Sequence, residues 1–142
     1  MMQEANDVAW EDLAVGQTAE FSWTVTEDMM KAFRALSGDA NPLHVDAAYA
    51  KAQGYPGPVV YGMCTASLYS QLAGMYLPGK RCLLQSVHAD FLRPVFVGDV
   101  LRVSGEIIEK NDSVRQIVVR AAIRNQDGKK VSRVKMEAGV LG

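Results

Sequence analysis

Two side chains able to exchange protons near neutral pH stand five positions apart in Ser37-Gly-Asp-Ala-Asn-Pro-Leu-His44. They are Asp39 and His44, and Asn41 between them can orient a water or a substrate group without titrating. The surrounding backbone is stiff. Gly38 lets the chain turn freely, while Pro42 fixes its own φ and pushes Asn41 away from helical angles. Such a loop could present Asp39, Asn41 and His44 toward one point, as acid–base work on a bound water requires. The same residue types also suit an ordinary turn, with Asp39 capping the backbone and His44 on the surface. Residue types alone leave both readings open. They also leave open which of Asp39 and His44 would be the base, since pKa values depend on burial and neighbours.

The elements that must hold this loop are legible on both sides of it. Residues 21–25 alternate apolar and polar, a first strand. Thr26 is a good N-cap, and Glu27 and Asp28 favour a helix running to about Leu36 with Met29, Met30, Phe33 and Leu36 inward. Asp46 can cap a short helix through Lys51. The stretch 57–78 then carries no charge between Lys51 and Lys80, and its interior reads as a helix of about five turns. Apolar residues occur all round it, so it is expected to be buried on every side. Strands follow at 81–91, 100–108, 114–123 and 129–140, with Val97-Gly-Asp99 as a turn and Gln126-Asp-Gly128 as a hairpin turn. This order predicts an α+β fold: an antiparallel meander of the last four strands, joined by the first, wrapped around a central helix.

At 142 residues the chain is read as one domain, 1–142. A net charge of −1 gives no reason to expect a nucleic-acid surface. Gly62, Thr65, Ser67, Ser70, Gln71 and Gly74 interrupt the apolar run, and no basic flank orients it, so a membrane span is not expected. The start, MMQEANDVAW, lacks the apolar stretch of a secretory signal. Cys64 and Cys82 fit neither metal spacing nor a redox motif, and together these features point to a cytoplasmic setting without metal or redox cofactor.

Phe33-x-x-Leu36-Ser-Gly-Asp-x-Asn-Pro-Leu-His44, followed by Ala50, resembles the hydratase-2 signature of the MaoC-like (R)-specific enoyl-CoA hydratases. Tyr61-Gly-Met63 with Ala66-Ser67 and Ser70 is similar to that family's central-helix segment. Leu77-Pro-Gly-Lys80 and Phe91-Leu-Arg-Pro-Val-Phe-Val-Gly-Asp99 are similar to the segments after it. The resemblance implies a hot-dog fold, a homodimer, and reversible hydration of 2-enoyl thioesters to (R)-3-hydroxyacyl thioesters. By that resemblance Asp39 and His44 form the acid–base pair, Asn41 steadies the pair or its water, and the Gly62 N–H binds the thioester oxygen. Ser70 is the hydroxyl expected to bond the carboxylate. Tyr61 departs from the family, which commonly has His before that glycine; it bears on substrate preference and the oxyanion region. Lys80, Arg81 and Arg93 are candidates to meet phosphates of coenzyme A or of a phosphopantetheine arm, each a part of the substrate and neither a separate cofactor. Solvated turn charge is the plainer explanation of all three. His88 shares a strand face with Ser86 and Asp90, which suits an outer surface or a dimer rim.

Two other functions fit the same elements. A hot-dog thioesterase shares the fold but has no special need of an Asp39/His44 pair. A non-catalytic acyl-thioester-binding module would bind an enoyl thioester without turnover.

Overall fold

The computed structural model describes residues 2–142. Strand β1 (Thr18–Thr24) leads into helix α1 (Glu27–Ser37), which starts where Thr26 Oγ1 accepts the Met29 N–H and stops at Gly38. Gly38 has φ +73° and donates its N–H to the Arg34 carbonyl, a left-handed cap that glycine adopts without steric cost. Met30 of α1 is buried and Phe33 packs on the core, but Leu36, expected to point inward, is 83% exposed in the last turn. Two short helices follow, α2 (Pro42–Val45) and α3 (Ala47–Ala52), each N-capped by a side chain, Asn41 and Asp46. Their capping oxygens accept the Leu43 and Tyr49 N–H groups.

The central helix is shorter than the apolar run that encodes it. Val59 and Val60 are extended, donating their N–H groups to the carbonyls of Leu43 and Val95. Helix α4 (Gly62–Gln71) begins only after this strap and continues as a π-helical turn, Leu72–Tyr76. It is not buried on every side. Cys64, Thr65, Leu68, Tyr69 and Leu72 face the core, whereas Met63, Ser67 and Ser70 are exposed.

The sheet adds β2 (Cys82–Phe91), β3 (Val100–Asn111), β4 (Gln116–Arg124) and β5 (Lys130–Val140), all antiparallel, in the order β1-β3-β4-β5-β2. This corrects the simple meander. Strands β3, β4 and β5 do follow one another, but β2 pairs with β5 and forms an edge. The reason lies in the connection 92–99. The N–H groups of Leu92 and Arg93 bond to the Val131 carbonyl, and Pro94 offers no donor. The chain then crosses the end of the sheet, and the turn around Gly98 (φ +96°) feeds β3 alongside β1 through Gly98 and Val25.

Alternation along the strands supplies the core. Leu101, Val103 and Ile107 of β3, Ile117, Val119 and Ile123 of β4, and Val134, Met136 and Ala138 of β5 are buried on the helix side. Gly105 lies among them because a Cβ there would stand 2.6 Å from Leu72 Cδ2. The helix thus seats directly on the β3 backbone. Trp10 anchors the N-terminal lead-in, donating to Asp112 Oδ1 at 2.8 Å beneath the Lys110 ammonium. No helix among the described residues is long and apolar enough to cross a membrane.

Candidate active site

The loop between α1 and α2 is shaped by its own side chains. Ser37 Oγ accepts the Asp39 N–H at 3.1 Å, Asp39 Oδ1 accepts the Asn41 N–H at 3.0 Å, and Asn41 Oδ1 accepts the Leu43 N–H at 3.0 Å. Each short polar side chain closes the turn that follows it. Pro42 occupies the first turn of α2, where its missing N–H costs nothing. Asn41 is therefore spent, through Oδ1, on capping α2. Asp39 remains exposed and His44 half-buried.

His44 is held from behind. Its Nδ1 lies 2.6 Å from the Val59 carbonyl oxygen, which can only accept, so Nδ1 carries the proton. In the neutral ring Nε2 then keeps its lone pair. Tyr61 reaches both members of the pair. Its O–H donates to the Asp39 backbone carbonyl at 2.6 Å, and its ring stacks on the imidazole with centroids 4.2 Å apart and planes at 29°. Phe33 closes on the tyrosine ring at 4.9 Å. Burial, with the Asp39 charge adding to it, pushes the Tyr61 phenol above its ordinary pKa. A cavity of about 200 Å³ opens beside His44 and Tyr61, with Met30, Arg34 and Pro58 in its wall.

Tyr61 is also the N-cap residue of α4, and it supplies no side-chain cap. Gly62 is the first helical residue, so its N–H belongs to the group of donors that an α-helix leaves without internal partners. The helix dipole adds positive potential at the same point. Phe91, from edge strand β2, packs over Gly62: a Cβ on residue 62 would lie 3.2 Å from Phe91 Cδ1. The half-buried His44, the exposed Asp39 and an uncapped helix start are thus linked through one buried tyrosine.

The remaining expected site residues lie as follows. Ser70 is exposed on α4, and no hydrogen bond joins it to Asp39 among the described residues. Lys80 and Arg81 turn toward Asp7, at 3.5 Å and 2.9 Å, and the Arg81 hydrogen bond holds the Asp7 carboxyl below its usual range. Arg93 Nη1 donates to the Lys130 carbonyl and so braces the 92–99 connection. His88 is on the outer sheet face, 4.0 Å from Asp90. A larger concavity there, about 800 Å³, contains none of Asp39, Asn41, His44 or Gly62. Its walls are a cross-strand row, Glu106, Arg120, Lys135 and His88, of solvated charge. The smaller cavity is the candidate site, because it is lined by His44, whose tautomer is fixed, and by Tyr61. Two contributors lay outside the sequence reading: the Val59 carbonyl, which as backbone leaves no residue-type signal, and Phe91, whose place over Gly62 needs the β2–β5 pairing.

A five-stranded antiparallel sheet curled around one helix, with this loop at the helix start, defines a hot-dog protein. The MaoC-like domain model matches residues 12–129, and the chain belongs to that family. It is 42% identical over 97 residues to an (R)-specific enoyl-CoA hydratase of Aeromonas caviae, covering 68% of this chain and 72% of that protein. It is 30% identical over 109 residues to a 3-hydroxybutyryl-CoA dehydratase of Methylorubrum extorquens, covering 77% and 69%. The solved (R)-hydratase of A. caviae superposes with a TM-score of 0.87 at 34% identity, over 92% of this chain and 98% of that one. The R-hydratase PhaJ1 of Pseudomonas aeruginosa also gives 0.87, at 33% identity, over 93% and 84%.

Proposed function

We propose that this protein catalyses reversible addition of water across a 2-enoyl thioester, giving an (R)-3-hydroxyacyl thioester, or the reverse dehydration. The observation that carries the reading is a histidine with its Nε2 lone pair left free, tied through Tyr61 to Asp39 and to the uncapped start of α4. Asp39 and His44 Nε2 hold one water between them. Its oxygen attacks C3 as one of the pair takes its proton, and the proton so held by the pair is then passed to C2. The electron pair displaced from the double bond moves onto the thioester oxygen, where the Gly62 N–H and the α4 dipole meet the charge. Asn41 keeps the loop, and so the water, in place. Ser70, on the open face of α4, comes to the carboxylate only with substrate or a second subunit in place. No metal or redox cofactor enters this scheme; coenzyme A or a phosphopantetheine arm arrives as part of the substrate. Of the three arm candidates Lys80 and Arg93 are exposed and Arg81 is half-buried, and each keeps N–H donors beyond those already bonded.

Two copies would join along β2. Leu83, Leu84, Val87 and Phe91 are exposed on this edge strand, and an edge presents unpaired backbone groups to a like strand. Both cysteines are free, in keeping with a cytoplasmic setting.

Loss of enoyl absorbance from crotonyl-CoA by the wild type, with Asp39→Asn run in parallel, tests the reading. Loss with the wild type and a fall of roughly a hundredfold or more in the variant supports it. Release of free thiol instead would mark a thioesterase, and binding without turnover an acyl-binding module.

A further inference from the structure

We infer that Tyr61 is the positioning residue that sets Asp39 and His44 against the head of α4; this rests on the hydration reading above. The loop's internal hydrogen bonds fix its shape but not its place in the molecule. Among the described residues, the Tyr61 O–H to Asp39 carbonyl bond at 2.6 Å is the one hydrogen bond joining residues 38–41 to anything outside 34–44. His44 is fixed by the Val59 carbonyl and by the Tyr61 ring. The His44 ring and the Asp39 backbone are therefore both referenced to residues 59–61, and residue 62 is the proposed oxyanion donor. A three-residue strap sets the separation between proton transfer and charge stabilisation. Tyr61 suits this task because it is 2% exposed and is wedged between Phe33 and His44. It cannot swing away without opening the core. Small displacements of such groups cost far more in rate than in stability, since misplacement by about 1 Å can lower rates roughly a hundredfold.

Two substitutions separate the bond from the ring. Tyr61→Phe keeps the stack and removes the hydroxyl; Tyr61→Leu removes both. The chain has two histidines, so imidazole NMR gives two signals, and His88→Gln assigns them without touching the site. We expect Tyr61→Phe to keep the ring-current shift of the His44 signal while kcat on crotonyl-CoA falls roughly tenfold to a hundredfold, with KM within about twofold. Tyr61→Leu should move the His44 signal toward that of exposed His88 and lower kcat further, while the His88 signal stays in place and reports an intact sheet. A Tyr61→Phe protein with wild-type kcat overturns the proposal, as does a His44 signal unmoved in Tyr61→Leu. Should the wild type show no hydration at all, the hydration reading fails by itself. The His44 signal then decides the clamp: movement in Tyr61→Leu upholds it, and none removes it.

Discussion

His44 owes its chemical state to a carbonyl fifteen residues further along the chain. With Nδ1 donating to Val59, proton exchange is confined to Nε2. His44→Ala should therefore lower hydration of crotonyl-CoA by roughly a hundredfold or more while the circular dichroism spectrum stays native. A rate close to wild type would remove His44 from the mechanism. The spacing of Asp39 and His44 was readable from residue types because Gly38 and Pro42 advertise a stiff turn. Their link through Tyr61 was not, since it depends on a backbone acceptor and on a tyrosine whose neighbours only the fold decides. A second buried phenol sets a different property. Tyr69 donates to Ser132 Oγ at 3.0 Å, and burial pushes its pKa from 10.0 up to about 12. Its folded value is raised, so the linked stability is full below pH 10 and is lost as pH climbs toward 12, by about 3 kcal/mol at most. Tyr69→Phe should flatten that alkaline limb in denaturant titrations and cost about 1 kcal/mol at neutral pH, because Ser132 Oγ is left buried without its partner. An alkaline limb equally steep in the variant would place the sensitivity elsewhere.

Helix α4 serves two neighbours through two glycines. At its head, Gly62→Ala puts a Cβ 3.2 Å from the Phe91 ring, so the ring must give by a few tenths of an ångström. That shift moves the proposed N–H donor, and kcat should fall roughly tenfold or more while the thermal midpoint changes little. Unchanged turnover would argue that another donor meets the thioester oxygen. Where Leu72 packs, Gly105 of β3 leaves no room for a side chain, and Gly105→Val should destabilise by about 1–3 kcal/mol or more in urea titration. The apolar run 57–78 marked this helix clearly but not its start. Val59 and Val60 satisfy the apolar pattern while their N–H groups are committed to Leu43 and Val95, a tertiary bond that outweighs local propensity. Its open face was hidden for the same reason: Met63 reads as core, yet the sheet covers only the opposite side.

On the scale of the whole molecule, the strand order decides what the chain can assemble into. Strand lengths and alternation were visible in the sequence. The partner of β2 was not, because an eight-residue connection is compatible with a hairpin or with a crossing of the sheet end, and backbone bonds from Leu92 and Arg93 select the crossing. The crossing leaves β2 as an edge whose core-side residues, Leu84, Val87 and Phe91, extend past the cover of α4; Val87 and Phe91 are each 49% exposed. Two such edges brought together antiparallel would continue the hydrogen-bond ladder and bury both apolar rows. They would also bring the partner's β2 next to Phe91, and hence next to the ring that covers Gly62. Sedimentation equilibrium should return twice the chain mass of 15.5 kDa for the wild type and the single mass for a Leu84→Lys, Val87→Lys double variant with native circular dichroism. If pairing completes the site, turnover should fall with the mass, and raising the variant's concentration should restore part of both. A wild type that sediments as a single chain, or a double variant that remains paired, would move the interface away from β2.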